Sequence, residues 1–189
     1  IQASGRSLLA ILDDVLDLSR LEVGRLRLQV EAFDVAAAIE DVVGSLAELA
    51  QGKGLELAVI AEGLRRPLCG DPARFRQILV NLVGNAIKFT DRGQVAVQAR
   101  PLAEDAETVT LLGEVADTGV GIPPEAAERL FRAFSQAAGG SARGGSGLGL
   151  LISRQLASLM GGDIEFESQP GRGSVFRVTL CLSRPGVPE

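Results

Sequence analysis

Apolar residues recur along this chain at two spacings, and the switches between them divide it into elements. At the start, Ile1, Leu8 and Val15 stand seven apart, with Ser4, Ile11 and Leu18 between them. This is an a/d pattern of about two and a half heptads, and it predicts a helix to about residue 27. Leu9, Leu12 and Leu16 widen the apolar face beyond a two-stranded seam. Docking on its own domain is the plainer expectation for such a helix. A dimeric bundle is preferred, because a helix this apolar needs partners.

A short alternating stretch over Leu28–Asp34 follows, then helical spacing over Val35–Ala50 and a strand pattern over Leu55–Ala61. The next helix has a clear start, with Asp71 as N-cap and Pro72 where a missing N–H costs nothing. Its apolar positions run from Phe75 to Ile87 at helical spacing. Strands are expected over Gln94–Arg100 and Thr108–Ala116, and a short helix near Glu125–Ala133. A helix over Leu148–Met160 closes on Gly161-Gly162, and a final hairpin pairs Asp163–Ser168 with Ser174–Leu182. Helices and strands interleave without a βαβ rhythm. The fold expected is therefore α+β, a mixed sheet with helices on one face. The segments are a helix over 1–27, a linker over 28–34, a domain over 35–183 and a tail over 184–189.

The chain has 189 residues and a formal charge of −5, with 19 Lys and Arg against 24 Asp and Glu. That balance argues against a nucleic-acid partner. It contains no His, which excludes Ser-His-Asp catalysis and any zinc site built on imidazole. Cys69 and Cys181 are far apart and read as reduced core or near-core thiols of a cytosolic protein. No apolar run reaches the roughly 20 residues of a membrane span, and no signal-peptide pattern opens the chain. Because it opens inside a helical pattern, it reads as a piece of something longer.

Three places can carry chemistry. On the Asp71–Lys88 helix, Asn81, Asn85 and Lys88 fall within about 60° of one another, away from the apolar face. Arg74 and Gln77 extend that stripe. Asn is a weak helix former, so two of them are a poor choice for a merely solvated face. Two amide oxygens and a cation suit a hydrated Mg²⁺ with its phosphates. Asp117 ends the row Leu111, Gly113, Val115, which points to one side of a strand. A carboxylate there is either a turn cap or an acceptor for a ligand amine, with Gly119 and Gly121 permitting close approach. Finally, Gly144-Gly145-Ser146-Gly147-Leu148-Gly149-Leu150 precedes a helix, where free N–H groups favour an anion. It is neither a Walker A nor a Rossmann fingerprint. The Gly-, Ala- and Ser-rich stretch before it, with Phe131 and Phe134, has the make-up of a lid, although both rings also suit core filling.

Together these motifs resemble the ATP-binding catalytic domain of sensor histidine kinases in two-component signalling. Asn81-Leu82-Val83-Gly84-Asn85-Ala86-Ile87-Lys88-Phe89-Thr90 is similar to the family's N box, Asp117-Thr118-Gly119-Val120-Gly121 to its G1 box, and Leu130-Phe131-Arg132-Ala133-Phe134 to its F box. Gly145-Ser146-Gly147-Leu148-Gly149-Leu150 resembles the G2 box, and Gly171-Arg172-Gly173-Ser174-Val175-Phe176 the third glycine motif. Leu16-Asp17-Leu18-Ser19-Arg20-Leu21-Glu22 resembles the second helix of the dimerisation and phosphoacceptor hairpin.

The resemblance implies a Bergerat-type two-layer α/β sandwich preceded by one long bundle-forming helix. It implies an ATP site of Asn81, Asn85, Lys88, Asp117, Gly119, Gly121, Ile122, Gly145, Ser146, Gly147, Leu148, Gly149, Leu150 and Ser174. Asn85 would hold Mg²⁺, and Phe131, Phe134 and Arg143 would belong to the lid. The related gyrase-type and chaperone ATPases carry a Glu where Asn81 stands, as general base for water. Asn has no useful basicity, so the site is expected to hold ATP without hydrolysing it.

The implied partners are an upstream helix bearing a phosphoacceptor His, absent here, a response-regulator receiver domain and a second copy of the chain. The implied location is cytoplasmic, including the cytoplasmic portion of a membrane receptor. The family's lid carries basic residues before its paired glycines, whereas Gly139-Gly140-Ser141-Ala142-Arg143 offers one Arg in a shifted place. A degenerate module that binds nucleotide without phosphotransfer is therefore the alternative reading. An anti-sigma-type Ser/Thr kinase is disfavoured by the helix that precedes the domain.

Overall fold

The computed structural model describes residues 12, 15–21, 23–24, 26–133 and 147–186. Helical residues 15–21 form α1, which gives way to a turn at Val23 and Gly24, where Gly24 takes φ +63°. The described helix thus stops short of residue 27. Leu18 and Leu21 pack on the domain's core, while Leu12, Val15 and Leu16 are exposed. Docking on its own domain, the plainer expectation, therefore holds for one face of α1, and another apolar face stays open. Ile1, Ser4, Leu8, Leu9 and Ile11 lie outside the described residues.

The order then runs β1 (Glu31–Phe33), α2 (Val35–Gly52), β2 (Glu56–Ala61), β3 (Leu68–Gly70), α3 (Pro72–Phe89), β4 (Gln94–Glu104) and β5 (Thr108–Asp117). It continues through α4 (Pro124–Ala127), α5 (Gly149–Leu159), β6 (Asp163–Gln169) and β7 (Gly173–Ser183). Among the described residues seven strands form one sheet, six of them in the order β1-β3-β7-β5-β4-β2. Strand β7 also pairs with β6, which runs alongside residues 173–179, while β3 meets β7 at Ser183. Among the described strands β2 and β4 alone pair in parallel, so the sheet is mixed. This is the two-layer α/β arrangement expected, with the helices on one face.

Alternation decides which face. Val95, Val97 and Ala99 of β4, Leu111 and Val115 of β5, and Val178, Leu180 and Leu182 of β7 are buried under the helices. Glu114 and Arg177 point the other way and pair at 2.8 Å, with Glu167 on the same guanidinium at 2.9 Å. The helices answer with rows at helical spacing: Val35, Ala38, Ile39, Val42 and Val43 on α2, and Phe75 through Ile87 on α3. Both begin on an aspartate. Asp34 accepts from the Ala37 N–H at 3.0 Å, and Asp71 from the Arg74 N–H at 3.0 Å.

Several expectations need correction. Strands β1 and β3 are only three residues each; β1 lies inside the stretch read as linker, and β3 follows Pro67 with too few residues to show a period. The helix expected near Glu125–Ala133 is the single turn α4, followed by turns through Ala133. Both cysteines carry free thiols, but Cys181 is exposed, because its neighbours Leu180 and Leu182 take the inward positions of β7. No described helix is long and apolar enough to cross a membrane.

The C-terminus of α3 has an unusual cap. The ammonium of Lys53, the C-cap residue of α2, donates to the carbonyls of Ile87 at 2.8 Å, Lys88 at 2.9 Å and Thr90 at 3.0 Å. A cation there meets both the orphan carbonyls and the negative end of the helix dipole. Lys53→Met keeps the stem and removes the charge, and should lower the midpoint stability by about 1–2 kcal/mol. Urea melts of the two proteins would measure it, and an unchanged midpoint with an unchanged slope would show that water replaces the cap without loss.

Candidate nucleotide site

The polar residues singled out by the sequence gather at one end of the sheet, where β5 stops, β7 begins and α3 ends. Asp117 is the last residue of β5, level with Ser174 on one neighbour and Val95 on the other. Its Oδ1 accepts from the Gly119 N–H at 2.8 Å. Burial pushes the carboxyl above the ordinary carboxylate range, and the backbone donors of Gly119 and Ser174 pull it partly back. A carboxylate has about four acceptor positions, so these two donors leave capacity for a ligand.

The loop after Asp117 is clamped from two sides. The Val120 N–H reaches the Phe89 carbonyl at the end of α3 at 3.2 Å, and the Val120 carbonyl accepts from Gly171 at 2.8 Å. The Ile122 N–H donates to Ser168 Oγ at 2.8 Å, and Ser168 Oγ lies 2.9 Å from Ser174 Oγ. A Cβ on Gly119 would stand 2.5 Å from the Phe89 carbonyl oxygen and 2.9 Å from Thr90 Oγ1. No side chain fits between this loop and α3. Close approach to the backbone, the role foreseen for Gly119 and Gly121, is first made by the protein itself.

On α3, Asn81, Asn85 and Lys88 share a half-buried stripe. Asn85 Nδ2 donates to Asn81 Oδ1 at 3.3 Å, and Asn81 Nδ2 donates to Ser153 Oγ of α5 at 2.9 Å. Gly149, the first residue of α5, lies so near that its Cβ would stand 2.3 Å from Asn81 Oδ1. Asn81 thus ties the two helices together. Partial burial lowers the pKa of Lys88, whose ammonium also lies 4.9 Å from the Phe89 ring centre. Arg74 and Gln77, read as part of the same stripe, are not at this site: both reach Asp17 of α1 instead.

Leu148 is fully buried before α5, and its side chain offers no capping oxygen to the helix N-terminus. Gly147 enters it with φ +70°. Among the described residues no side chain caps the first turn of α5, and N–H groups at such a helix start suit an anion. Leu150 lies half-buried in the same turn. Phe131 packs edge-on against Phe166 at 5.9 Å, Phe166 stacks on Phe176 at 5.6 Å, and the Arg154 guanidinium covers Phe131 at 4.7 Å. Of its two readings, Phe131 has the packing of the second, a ring added to the core's rim. Phe134, Arg143, Gly145 and Ser146 lie outside the described residues.

Three supporting residues were not foreseen. Ser153 and Ser168 hold Asn81 and the Ile122 N–H. Thr90, fully buried, donates back to the Ala86 carbonyl at 2.7 Å. Serine and threonine inside apolar helices and strands carry no periodic signal that separates these from ordinary positions.

Known proteins resemble this chain in sequence and fold. Residues 70–184 match the family described as histidine kinase-, DNA gyrase B- and HSP90-like ATPase. The chain is 45% identical over 179 residues to the signal transduction histidine-protein kinase BarA of Escherichia coli, covering 93% of this chain and 20% of that protein. It is 41% identical over 187 residues to the sensor histidine kinase GacS of Pseudomonas protegens, covering 97% of this chain and 20% of that one. The chain thus spans about a fifth of the length of these curated relatives. Among solved structures, full-length ShkA in complex with AMPPNP superposes with a TM-score of 0.83 at 34% identity, over 99% of this chain and 38% of that one. The chain therefore belongs to the histidine kinase-, DNA gyrase B- and HSP90-like ATPase family, and within it carries the ATP-binding catalytic domain of sensor histidine kinases.

Proposed function

We propose that this domain binds Mg-ATP with its base against Asp117 and its phosphates between α3 and α5, and passes the γ-phosphoryl group to a histidine carried on another helix. The observation behind this reading is the convergence of a desolvated carboxylate, an amide-and-ammonium stripe and a helix N-terminus without a side-chain cap among the described residues, at one end of the sheet. Asp117 accepts the adenine amine, and the Gly119 and Gly121 loop bounds the base. Ile122 supplies apolar contact, while Leu148, fully buried in the core, anchors the start of α5 instead of touching the nucleotide. Lys88, Gly147, Gly149 and Leu150 border the phosphates, whereas Ser174, paired with Asp117 across the strands, stands at the base end.

Mg²⁺ fits as a guest of the nucleotide. Among the described residues no cluster of three or more acidic, Cys or His groups is present to hold a metal, so the donors here are neutral amides. Mg²⁺ keeps most of its waters and binds through phosphate oxygens plus one or two protein oxygens, which Asn85, supported by Asn81, is suited to provide. Bound there, the ion would supply neutralisation of the charge on the phosphates.

Asn81 cannot take a proton from water, so hydrolysis lacks a base. Transfer then awaits the imidazole: a nitrogen–phosphorus bond forms, the bond from the γ-phosphorus to the bridging oxygen breaks, and ADP is the leaving group. The domain contributes positioning and electrostatics. The phosphohistidine would serve the receiver domain of a response regulator, in a cytoplasmic dimer built on the open face of α1.

A calorimetric titration with a non-hydrolysable ATP analogue, with and without Mg²⁺, tests the reading; the chain has no Trp or Tyr to report by fluorescence. Binding in the micromolar range, strengthened by Mg²⁺, is expected. Asn85→Ala should remove the Mg²⁺-dependent gain, about tenfold or more, and leave Mg²⁺-free binding in place. No heat of binding at any Mg²⁺ concentration would overturn the nucleotide site, and an undiminished gain in the variant would overturn the role of Asn85.

A further inference from the structure

The stripe on α3 that carries Asn81 and Asn85 continues toward the N-terminus of the helix and serves a second purpose there. Asp17 Oδ2, on α1, accepts from Arg74 Nη1 at 2.9 Å and from Gln77 Nε2 at 2.9 Å. Arg74 Nη1 also donates to Gln77 Oε1 at 2.7 Å, which closes a three-residue ring. The charged pair is largely withdrawn from water, with side-chain exposures of 15% for Asp17 and 24% for Arg74. A second tie lies one turn away: Asp71, 3% exposed, accepts from the Gln29 N–H at 2.9 Å while capping α3. Around these polar contacts, Leu18, Leu21, Leu26 and Leu28 pack only partly buried against the core.

We propose that Asp17, Arg74 and Gln77 form a docking joint that sets the orientation of the ATP-binding domain on the preceding helix, and so the place to which the γ-phosphoryl group is delivered. The last clause rests on the function proposed above; the joint itself does not. Asn85 follows Arg74 by eleven residues, about three turns, so the two project from one side of α3 roughly 17 Å apart along its axis. An intact helix transmits the orientation fixed at Arg74 to the other end of that stripe. The joint touches neither Asp117 nor the α5 N-terminus, so it is suited to govern delivery without governing affinity. Asp17 is accordingly a positioning residue. A single carboxylate oxygen takes both donors, which makes the joint directional in a way that partly buried leucines are not.

Asp17→Asn and Arg74→Gln keep shape and remove charge, and the double exchange Asp17→Arg with Arg74→Asp restores it in reverse. In the chain as it stands, hydrogen exchange should quicken about tenfold or more across residues 15–30 in each single variant. Exchange in β5 and β7 should not change, and the double exchange should return the segment toward the parent rate. Calorimetric affinity for the ATP analogue should stay within about twofold. With a His-bearing helix fused ahead of residue 1, kcat for phosphotransfer should fall about tenfold or more in the single variants, because small misplacements of reacting groups are costly. KM for ATP should hold, and the double exchange should recover the rate.

Unchanged exchange in residues 15–30 would overturn the joint, showing that the leucines alone hold the helix. Faster exchange with undiminished kcat, or kcat and nucleotide affinity lost together, would overturn its role in delivery. If the parent chain fails to bind the analogue, the nucleotide reading falls, and the exchange measurements still decide the joint.

Discussion

Asp117→Asn should cost the domain its nucleotide and cost the empty fold nothing. The carboxylate sits where burial disfavours its charge, and the donors that reach it only partly compensate. Asn keeps the size and one acceptor but removes the charge that an adenine amine is expected to meet. Truncating a charged hydrogen bond in a desolvated site should weaken ATP-analogue binding about a hundredfold, or about 3 kcal/mol. Stability should move the other way.

A carboxyl whose pKa is raised in the folded state binds its proton more readily folded than unfolded. Its contribution to stability therefore falls as pH rises from the unfolded value, near 3.8, through the higher folded one. The Asn variant lacks that loss. Its advantage in melting temperature over the parent should be greatest near neutral pH and should vanish below about pH 4. Melting both proteins between acid and neutral pH without nucleotide checks the sign. A variant less stable than the parent at neutral pH would show that Asp117 is held as a structural cap rather than kept ready for a ligand.

The second large effect belongs to Gly121. It adopts φ +68°, and a Cβ there would stand 2.2 Å from the Gln169 carbonyl oxygen and 2.9 Å from Pro170 Cα. Both obstacles are backbone, so neither can rotate aside. Gly121→Ala should lower stability by about 3 kcal/mol, combining left-handed strain with overpacking. It should also loosen the clamp between the Asp117 loop and the β6–β7 turn, and with it nucleotide affinity. Gly171 provides the control. Its φ is +76°, yet nothing lies within 4 Å of its Cβ position, so Gly171→Ala should cost only about 1 kcal/mol. Denaturant midpoints of the two variants should differ accordingly; equal losses would mean that conformation alone, and no clash, fixes Gly121.

Much of this site was legible in the sequence because its main residues stand at positions where helix and strand periods are informative. Two Asn on a polar helical stripe, and a carboxylate ending an inward row of β5, are departures from pattern, and the structure gathers both at one end of the sheet. The same period set Arg74 and Gln77 on the stripe but could not show what they meet. A helical stripe says which residues share a side, not what lies opposite them, and only the folded path of the chain brings Asp17 there. Lys53 was invisible for a similar reason, since its three carbonyl partners lie more than thirty residues away. Strand β3 has three residues, less than two periods of alternation, and is defined by the neighbours that hydrogen-bond to it.

The shared stripe on α3 also limits how this helix can change length. Each inserted residue turns everything beyond it by about 100°, so one extra residue between Arg74 and Asn81 would aim the amides away from Ser153 while Arg74 still faced Asp17. Seven extra residues bring the phase back to within about 20° and lengthen the helix by about 10 Å. Gaps within this interval should therefore be scarce among working relatives, and those that survive should come in whole turns, with a compensating change in the connection that follows α3.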